Sequence, residues 1–503
     1  MNLHLIDKPV RDGKARAFIA AFAMSVASVG ALAAPGFYDP TFNSNGISMR
    51  DIGPGNDGAR AVALQPDGKI VAVGGCSKTA GAGARNWCVT RFTTIGGLDS
   101  GFGTGGIVQI SGASDQYASG VAIAPDDSIV VTGTCQQQFC AYRLSPSGGV
   151  YNNFGSGGAG RAVFTPPGIV VDARSMALQT DGRIIVGGQC YNSALLESIC
   201  LVRFNADGSV DSSFSNVAGG GVQFGFFSGQ IYRLGALAVQ SDSKVIYAGS
   251  LNIGQYNYVR GRLNTNGSLD GSWQTGVLAP PGTTTNVANS VALQADGKAL
   301  LGGYCTISSV TRFCVARVLA SDGSLDASYG VNGFYVAPVT VLGGGTGVSI
   351  IVQPDGKAIL SGTWSSNFGA LRLNEDGTLD TTWANTGYTY GNINNGDQLY
   401  ASALQRDGKL VWAGQCTLTG GDQQLCVQRV DGGPYGASGC TPDIDGDGRV
   451  LGPTDALILS RVRQGLTGAA AIGGITFGAS ASRNTWPLIR QYLVAECGLT
   501  VKE

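Results

Sequence analysis

Seven times along this chain an aspartate sits in a turn between two stretches of alternating apolar residues. The copies read AVALQPDGKIVAVGG at 61–75, VAIAPDDSIVVTG at 121–133, SMALQTDGRIIVGG at 175–188 and ALAVQSDSKVIYAG at 236–249. Three more follow: VALQADGKALLGG at 291–303, IIVQPDGKAILSG at 350–362 and SALQRDGKLVWAG at 402–414. The turn residues Asp67, Asp126, Asp181, Asp242, Asp296, Asp355 and Asp407 are spaced 59, 55, 61, 54, 59 and 52 apart. Period-two alternation on both sides of an Asp-Gly turn predicts a β-hairpin, and its recurrence predicts a repeat architecture.

A second signature follows in each copy: a strand carrying an arginine, a turn, then Leu-Asp and an aromatic. CVTRF precedes GGLDSGFGTGGIV in the first copy, and the third and fifth read CLVRFNADGSVDSSF and CVARVLASDGSLDASYG. The arginine is present in all seven as Arg91, Arg143, Arg203, Arg262, Arg317, Arg372 and Arg429. Each unit therefore reads as four short strands. Seven such units predict an all-β, seven-bladed β-propeller, in which radial closure protects the sheet edges. The last copy stops after CVQRVDGGPYG, while FYDPTFNSNGI at 37–47 supplies the segment it lacks. The first strand is thus expected to complete the last blade. The arginines and Asp39, Asp99, Asp211, Asp270, Asp326 and Asp380 recur too regularly for a catalytic site and are read as structural ion pairs.

Ten of the 12 cysteines fall in pairs inside the repeats: Cys76/Cys88, Cys135/Cys140, Cys190/Cys200, Cys305/Cys314 and Cys416/Cys426. One member ends the second strand and the other begins the third, which puts them opposite each other at a hairpin mouth within disulfide reach. The fourth repeat has Leu251 and Val259 there and the sixth has Trp364 and Gly369, so both partners are lost together. Disulfides are expected, with metal binding as the rival reading.

These paired motifs resemble the delta-60 repeat family of exported bacterial proteins, whose units run like QPDGKIVVAG…ARYNADGSLDPSFG. The likeness covers about residues 36–435. It implies a propeller-like array of unassigned biochemical role and brings no catalytic residues.

After Gly436 the pattern changes to CTPDIDGDGRVLGPTDALILSRVRQG. Asp443, Asp445 and Asp447 occupy alternate positions of a calcium loop, with Gly448 at the turn, Arg449 offering its carbonyl, and Asp455 one place beyond the usual closing carboxylate. Calcium is the expected ion. A helix should start near Ala456. The segment resembles half of a dockerin, a module that binds calcium and docks onto cohesins. It departs from that family in having no second acidic loop before RNTWPLIRQYLVAECG, and in placing Gly452 and Pro453 where a cohesin would bind, so cohesin docking is not expected. Cys440 and Cys497 are the remaining pair, expected to tie the ends of this 436–503 module.

The N-terminus reads as a secretory signal over 1–33, with Lys8, Arg11, Lys14 and Arg16 before an apolar run and Ala31-Leu32-Ala33 at the cleavage site. An uncleaved anchor is the alternative; after cleavage no membrane span is expected. The sole histidine, His4, leaves with that segment. Ser-His-Asp and Cys-His catalysis and imidazole-zinc sites are then excluded from the mature chain. A formal net charge of −1 gives no field to hold nucleic acid. Export to the periplasm, the surface or the medium is expected.

Two function classes lead. One is a non-catalytic binding or scaffold protein engaging a polysaccharide, an envelope component or a protein. The other is a carboxylate- or tyrosine-dependent glycan hydrolase or lyase acting in the propeller mouth. A structural adhesin or surface-layer element stands third. The candidate ligand face comprises Trp87, Phe139, Tyr191, Tyr304 and Trp364 beside the long insert at 216–229, with local packing of these aromatics as the competing reading.

Overall fold

A computed structural model describes residues 35–79, 84–111, 117–156, 160–166, 170–192, 194, 196–215, 221–223, 230–340, 344–391, 396–405, 407–433, 444–445, 454, 457–477, 481 and 483–495. Residues 1–33, read from the sequence as a secretory signal, and the 216–229 insert, except 221–223, lie outside these. Seven antiparallel four-stranded sheets are arranged as the repeats predict. Blade 1 consists of Gly58–Leu64, Ile70–Ser77, Arg85–Phe92 and Ile107–Ile110. The last blade takes three strands from Gln398–Leu404, Lys409–Thr417 and Gln423–Asp431, and its outermost strand is Ile47–Arg50. The ring is therefore closed by the two ends of the repeat array, which removes two edges that would otherwise be open to aggregation.

Neighbouring first strands touch all the way around, so the first strands line the central axis. Second strands have a blade on each side and are buried on both faces, as in Ile70–Ser77, which is why they read as continuous apolar runs. In blade 1 the Asp-Gly turn is closed by Gly68 N–H donating to Gln65 O at 2.9 Å, with Gly68 at φ +83°. Asp127 and Ser243 hold the same left-handed position in blades 2 and 4 without glycine.

Each pair of adjacent blades encloses its own apolar cluster. The closing one packs Phe42, Ile70 and Phe92 against Val411, Leu425 and Val427. The seven arginines join the same interfaces. In six blades the guanidinium pairs with the Leu-Asp carboxylate of its own blade, as in Arg317 Nε to Asp326 at 2.8 Å. It also lies over that blade's aromatic, as in Arg317 over Tyr329 at 4.5 Å. All seven then donate to a backbone carbonyl of the following blade, for example Arg203 to Thr265 at 2.6 Å and Arg372 to Gly432 at 2.8 Å. Blade 2 has Val150-Tyr151 in place of Leu-Asp, and Arg143 pairs with the turn residue Asp126 at 2.9 Å. The repeated charges are structural staples.

Five disulfides form, Cys76–Cys88, Cys135–Cys140, Cys190–Cys200, Cys305–Cys314 and Cys416–Cys426. Cys440 and Cys497 are outside the described residues. Among the described residues the C-terminal segment contains three short helices, α1 (Leu457–Arg463), α2 (Gly468–Ile472) and α3 (Trp486–Ala495). Ile458, Val462, Ala471, Ile489, Tyr492 and Leu493 form its core with Ile444. Among the described residues no helix is long and apolar enough to cross a membrane.

Candidate functional site

Every first strand carries a β-bulge, and all seven bulges fall at the same place in the repeat. The bulged residues are Arg60, Ser119, Arg174, Gly235, Asn289, Val348 and Tyr400. Each stands seven residues before its turn aspartate. Seven residues after that aspartate the second strand has glycine in every copy: Gly74, Gly133, Gly188, Gly249, Gly303, Gly362 and Gly414. A Cβ on any of these would lie 1.9–2.3 Å from a carbonyl oxygen of the bulged strand. The glycine thus admits the bulge, and in six blades the bulge re-aims a side chain toward the axis, blade 4 having Gly235 there.

All seven bulged residues line one depression of about 490 Å³ at the mouth of the central channel. Unlike the turn, arginine and glycine positions, this ring is chemically heterogeneous. Tyr117, Tyr191, Arg233, Tyr256 and Tyr304 extend it, with Glu197. Arg60 lies over the ring of Tyr400 at 4.2 Å and that of Tyr117 at 5.5 Å. Tyr117 donates its hydroxyl to Asp172, whose other oxygen pairs with Arg174 Nη2 at 2.6 Å. Arg174 Nε also donates to Gln189 at 2.8 Å. On the same blade, Glu197 accepts from Tyr191 at 3.1 Å and faces Arg233 of the next blade at 3.4 Å, and Arg233 lies over Tyr256. Among the described residues, three guanidinium groups stand against two carboxylates here, an excess of one positive charge.

Burial, then the Asp172 carboxylate, pushes the Tyr117 phenol far above its usual range. Tyr191 is pushed up to about 12 by burial and then by Glu197. Burial also raises Tyr304. These phenols are held protonated, as donors, at any physiological pH.

The candidate face read from the sequence is divided by the structure. Tyr191 and Tyr304 do line the mouth. Trp87 and Phe139 do not form an exposed face: both are fully buried between blades, and Trp87 Nε1 donates to Thr134 O at 3.2 Å. They sit on the third strand immediately before its cysteine position. Ile199, Tyr258, Phe313, Phe368 and Leu425 hold that position elsewhere and are equally buried. The strand extends over residues assigned to the loop, and its alternation turns this position toward the next blade. Trp364 is half-buried and packs edge-on against Tyr390 at 4.4 Å, within its own blade. Of the calcium-loop residues, Asp443, Asp447, Arg449 and Asp455 are outside the described residues. Asp445 is wholly buried, and its backbone carbonyl accepts from Arg483 N–H at 2.8 Å.

The molecule is a seven-bladed β-propeller repeat protein with disulfide-closed hairpins. A family model described as a β-propeller domain of unknown function, DUF5122, matches residues 65–102, 179–214, 294–329 and 353–382. No curated protein matches the chain. Among solved structures, a protein of unknown function from Dyadobacter fermentans is 11% identical with a TM-score of 0.42, the match covering 76% of this chain and 97% of that one. The polysaccharide lyase Uly1 is 10% identical with a TM-score of 0.43, covering 75% and 90%. The periplasmic gluconolactonase PpgL of Pseudomonas aeruginosa is 16% identical with a TM-score of 0.39, covering 73% and 97%.

Proposed function

We propose that this is an exported, non-catalytic binding protein that holds a polysaccharide of the cell envelope or its surroundings at the channel mouth. The observation that carries the reading is the bulge ring. It occurs at one fixed position of an otherwise repetitive scaffold, and there the blades supply two arginines, a serine, an asparagine, a valine, a tyrosine and a glycine. Tyrosine rings beside Asn289, Ser119, Gln189 and guanidinium groups provide the aromatic platforms and directional hydrogen bonds with which polyhydroxylated ligands are recognised. The raised phenols favour binding over catalysis, because a general base must lose its proton near the working pH. The disulfides suit an oxidising compartment.

The C-terminal segment is proposed to be stabilised by calcium. Asp443, Asp445, Asp447 and Asp455 would supply carboxylates and Arg449 its carbonyl, and cohesin docking is not part of the proposal. Hard oxygen donors at alternate positions suit this ion.

The test is to present the purified chain to a panel of polysaccharides and envelope extracts, with calcium or chelator. Retention and released fragments are both scored by mass spectrometry. Retention without fragments, lost on Tyr400→Ala with Tyr304→Ala, is expected. Fragment release would instead make the mouth an active site, and retention of protein partners alone would overturn the glycan reading.

A further inference from the structure

The bulge ring does more than line a mouth; it places one guanidinium apart from the others. Arg174 is paired with Asp172 and Arg233 with Glu197, so two of the three positive charges are answered within the site. Arg60 is held differently. Among the described residues no carboxylate lies within ion-pair distance of it, and its contacts at the mouth are the faces of Tyr400 and Tyr117. Its Cζ lies over two rings, and a guanidinium presents N–H edges that match a carboxylate in a bidentate fashion. Tyr117 is itself locked by its hydrogen bond to Asp172, so the platform under Arg60 is not free to turn.

We propose that the ligand is an acidic polysaccharide built of uronate units, and that Arg60 receives the carboxylate of the unit seated in the mouth. This rests on the glycan-binding function and narrows it. Three features select this chemistry. A uronate carries a single charge per ring, which matches the one positive charge left unanswered among the described residues. Its pyranose ring presents an apolar face that tyrosine rings can cover, and its hydroxyls find Asn289, Ser119 and Gln189 around the rim. Ligands with several dianionic groups would call for more positive charge than three arginines against Asp172 and Glu197 provide.

The sequence supports the specialised role of this position. No other blade repeats the pair of an arginine at the bulge with an aromatic two residues before the bulge of the next blade. Blade 1 has Arg60 followed by Tyr117, whereas Arg174 of blade 3 is followed by Arg233 of blade 4. Arg60 is thus positioned by a combination that occurs once in the ring.

Isothermal titration of the full chain with short oligomers of galacturonate, glucuronate and mannuronate, each beside its methyl ester, tests the proposal. At low salt at least one acid should bind about tenfold or more tightly than its ester, and the preference should shrink as salt rises. Arg60→Gln should weaken the acid far more than the ester and so remove the preference, in a protein whose circular dichroism shows the fold retained. Arg60→Lys, which keeps the charge but not the fork, should restore part of it. Equal affinity for acid and ester, or a preference that survives Arg60→Gln, overturns the proposal. Retention of neutral glycans alone overturns it while leaving the glycan-binding function intact. Failure of every glycan to bind removes both.

Discussion

Arg429, on the third strand of the last blade, donates through Nε to Asp39 Oδ2 at 2.8 Å across a sequence separation of 390 residues. The same carboxylate takes Lys409 at 3.1 Å, and Arg429 also reaches the Thr94 carbonyl of blade 1. One guanidinium thus ties the N-terminal segment, the last blade and the first. In four other blades the same triad is built from neighbours in sequence, such as Arg372, Asp380 and Lys357, and in blade 3 Arg183 takes the place of the lysine. The closing blade differs only in where its aspartate comes from.

Asp39→Ala should therefore destabilise the ring more than Asp380→Ala. Both leave a buried arginine without its partner, a loss of about 3–5 kcal/mol. Asp39→Ala in addition weakens the attachment of Ile47–Arg50 to the last blade. Urea unfolding of the two variants, with proteolysis mapped over residues 37–50, would show it. Equal stability and equal protection would mean that closure rests on the strand pairing of Ile47–Arg50 and the apolar cluster around Phe42, without the ion pair.

The same carboxylates make stability fall in acid. Burial alone would raise the Asp39 carboxyl, but hydrogen bonds from the Thr41 hydroxyl and amide, with Arg429 and Lys409, outweigh it and hold it at about 2. Asp380 is held at about 2 in a similar way, and Asp99, Asp211, Asp270 and Asp326 are also lowered. A carboxyl whose folded value lies below its unfolded value of about 3.9 stabilises fully above that pH. The contribution is lost as pH falls through the folded value. The melting temperature should hold from neutral pH to about 4 and drop steeply toward 2. A melting temperature unchanged down to pH 2 would show that the six pairs contribute nothing to folding.

The bulge-admitting glycines should be intolerant of a single methyl group. At Gly303 an added Cβ would sit 1.9 Å from the Val287 carbonyl oxygen, backbone that cannot move without disturbing the bulge at Asn289. Gly303→Ala should cost about 3 kcal/mol, the upper end of ordinary overpacking. At Gly271 a Cβ would meet nothing within 4 Å, so Gly271→Ala should be nearly neutral. Thermal melts of the pair would test this, and a neutral Gly303→Ala would mean that the bulge does not depend on the missing side chain.

Most of the scaffold could be read from the chain because its determinants are local and repeated. The turn aspartates, the strand arginines and the cysteine pairs each recur at a constant place, and the orphan segments at the two ends specified closure. The candidate face was less legible. Trp87 and Phe139 look like loop aromatics when only their own copies are considered, whereas Ile199 and Leu425 at the same register mark a core position. The bulge ring was missed because a bulge breaks the period-two alternation by one residue. Its signal was nevertheless present: a variable residue seven before the turn aspartate, with an unvarying glycine seven after it.

Non-reducing peptide mapping should recover the five hairpin disulfides and a sixth bond between Cys440 and Cys497. The hairpin bonds close loops of only 5 to 12 residues. Each should therefore stabilise by roughly 2–3 kcal/mol at most in the chain-entropy picture. Replacing Cys135 and Cys140 together by alanine should lower stability by no more than that and leave the fold intact. A bond mapped between different blades would contradict the hairpin pairing.

The calcium proposal makes the C-terminal segment the part of the molecule whose stability depends on an added ion. Binding to the folded state alone stabilises it by mass action, so protection should track calcium concentration. Residues 436–503 should resist protease in calcium and become susceptible in chelator, while the propeller core remains protected in both. Asp443→Ala with Asp445→Ala should abolish that difference, because a hard cation deprived of two carboxylates loses most of its affinity. The buried position of Asp445 adds a control: Asp445→Ala alone could weaken the helical core directly. Asp443→Ala and Asp447→Ala, tested singly, should therefore each shift the calcium needed for protection without lowering the protection reached at saturation. If the double variant still shows calcium-dependent protection, the ion is bound elsewhere and the loop assignment is wrong.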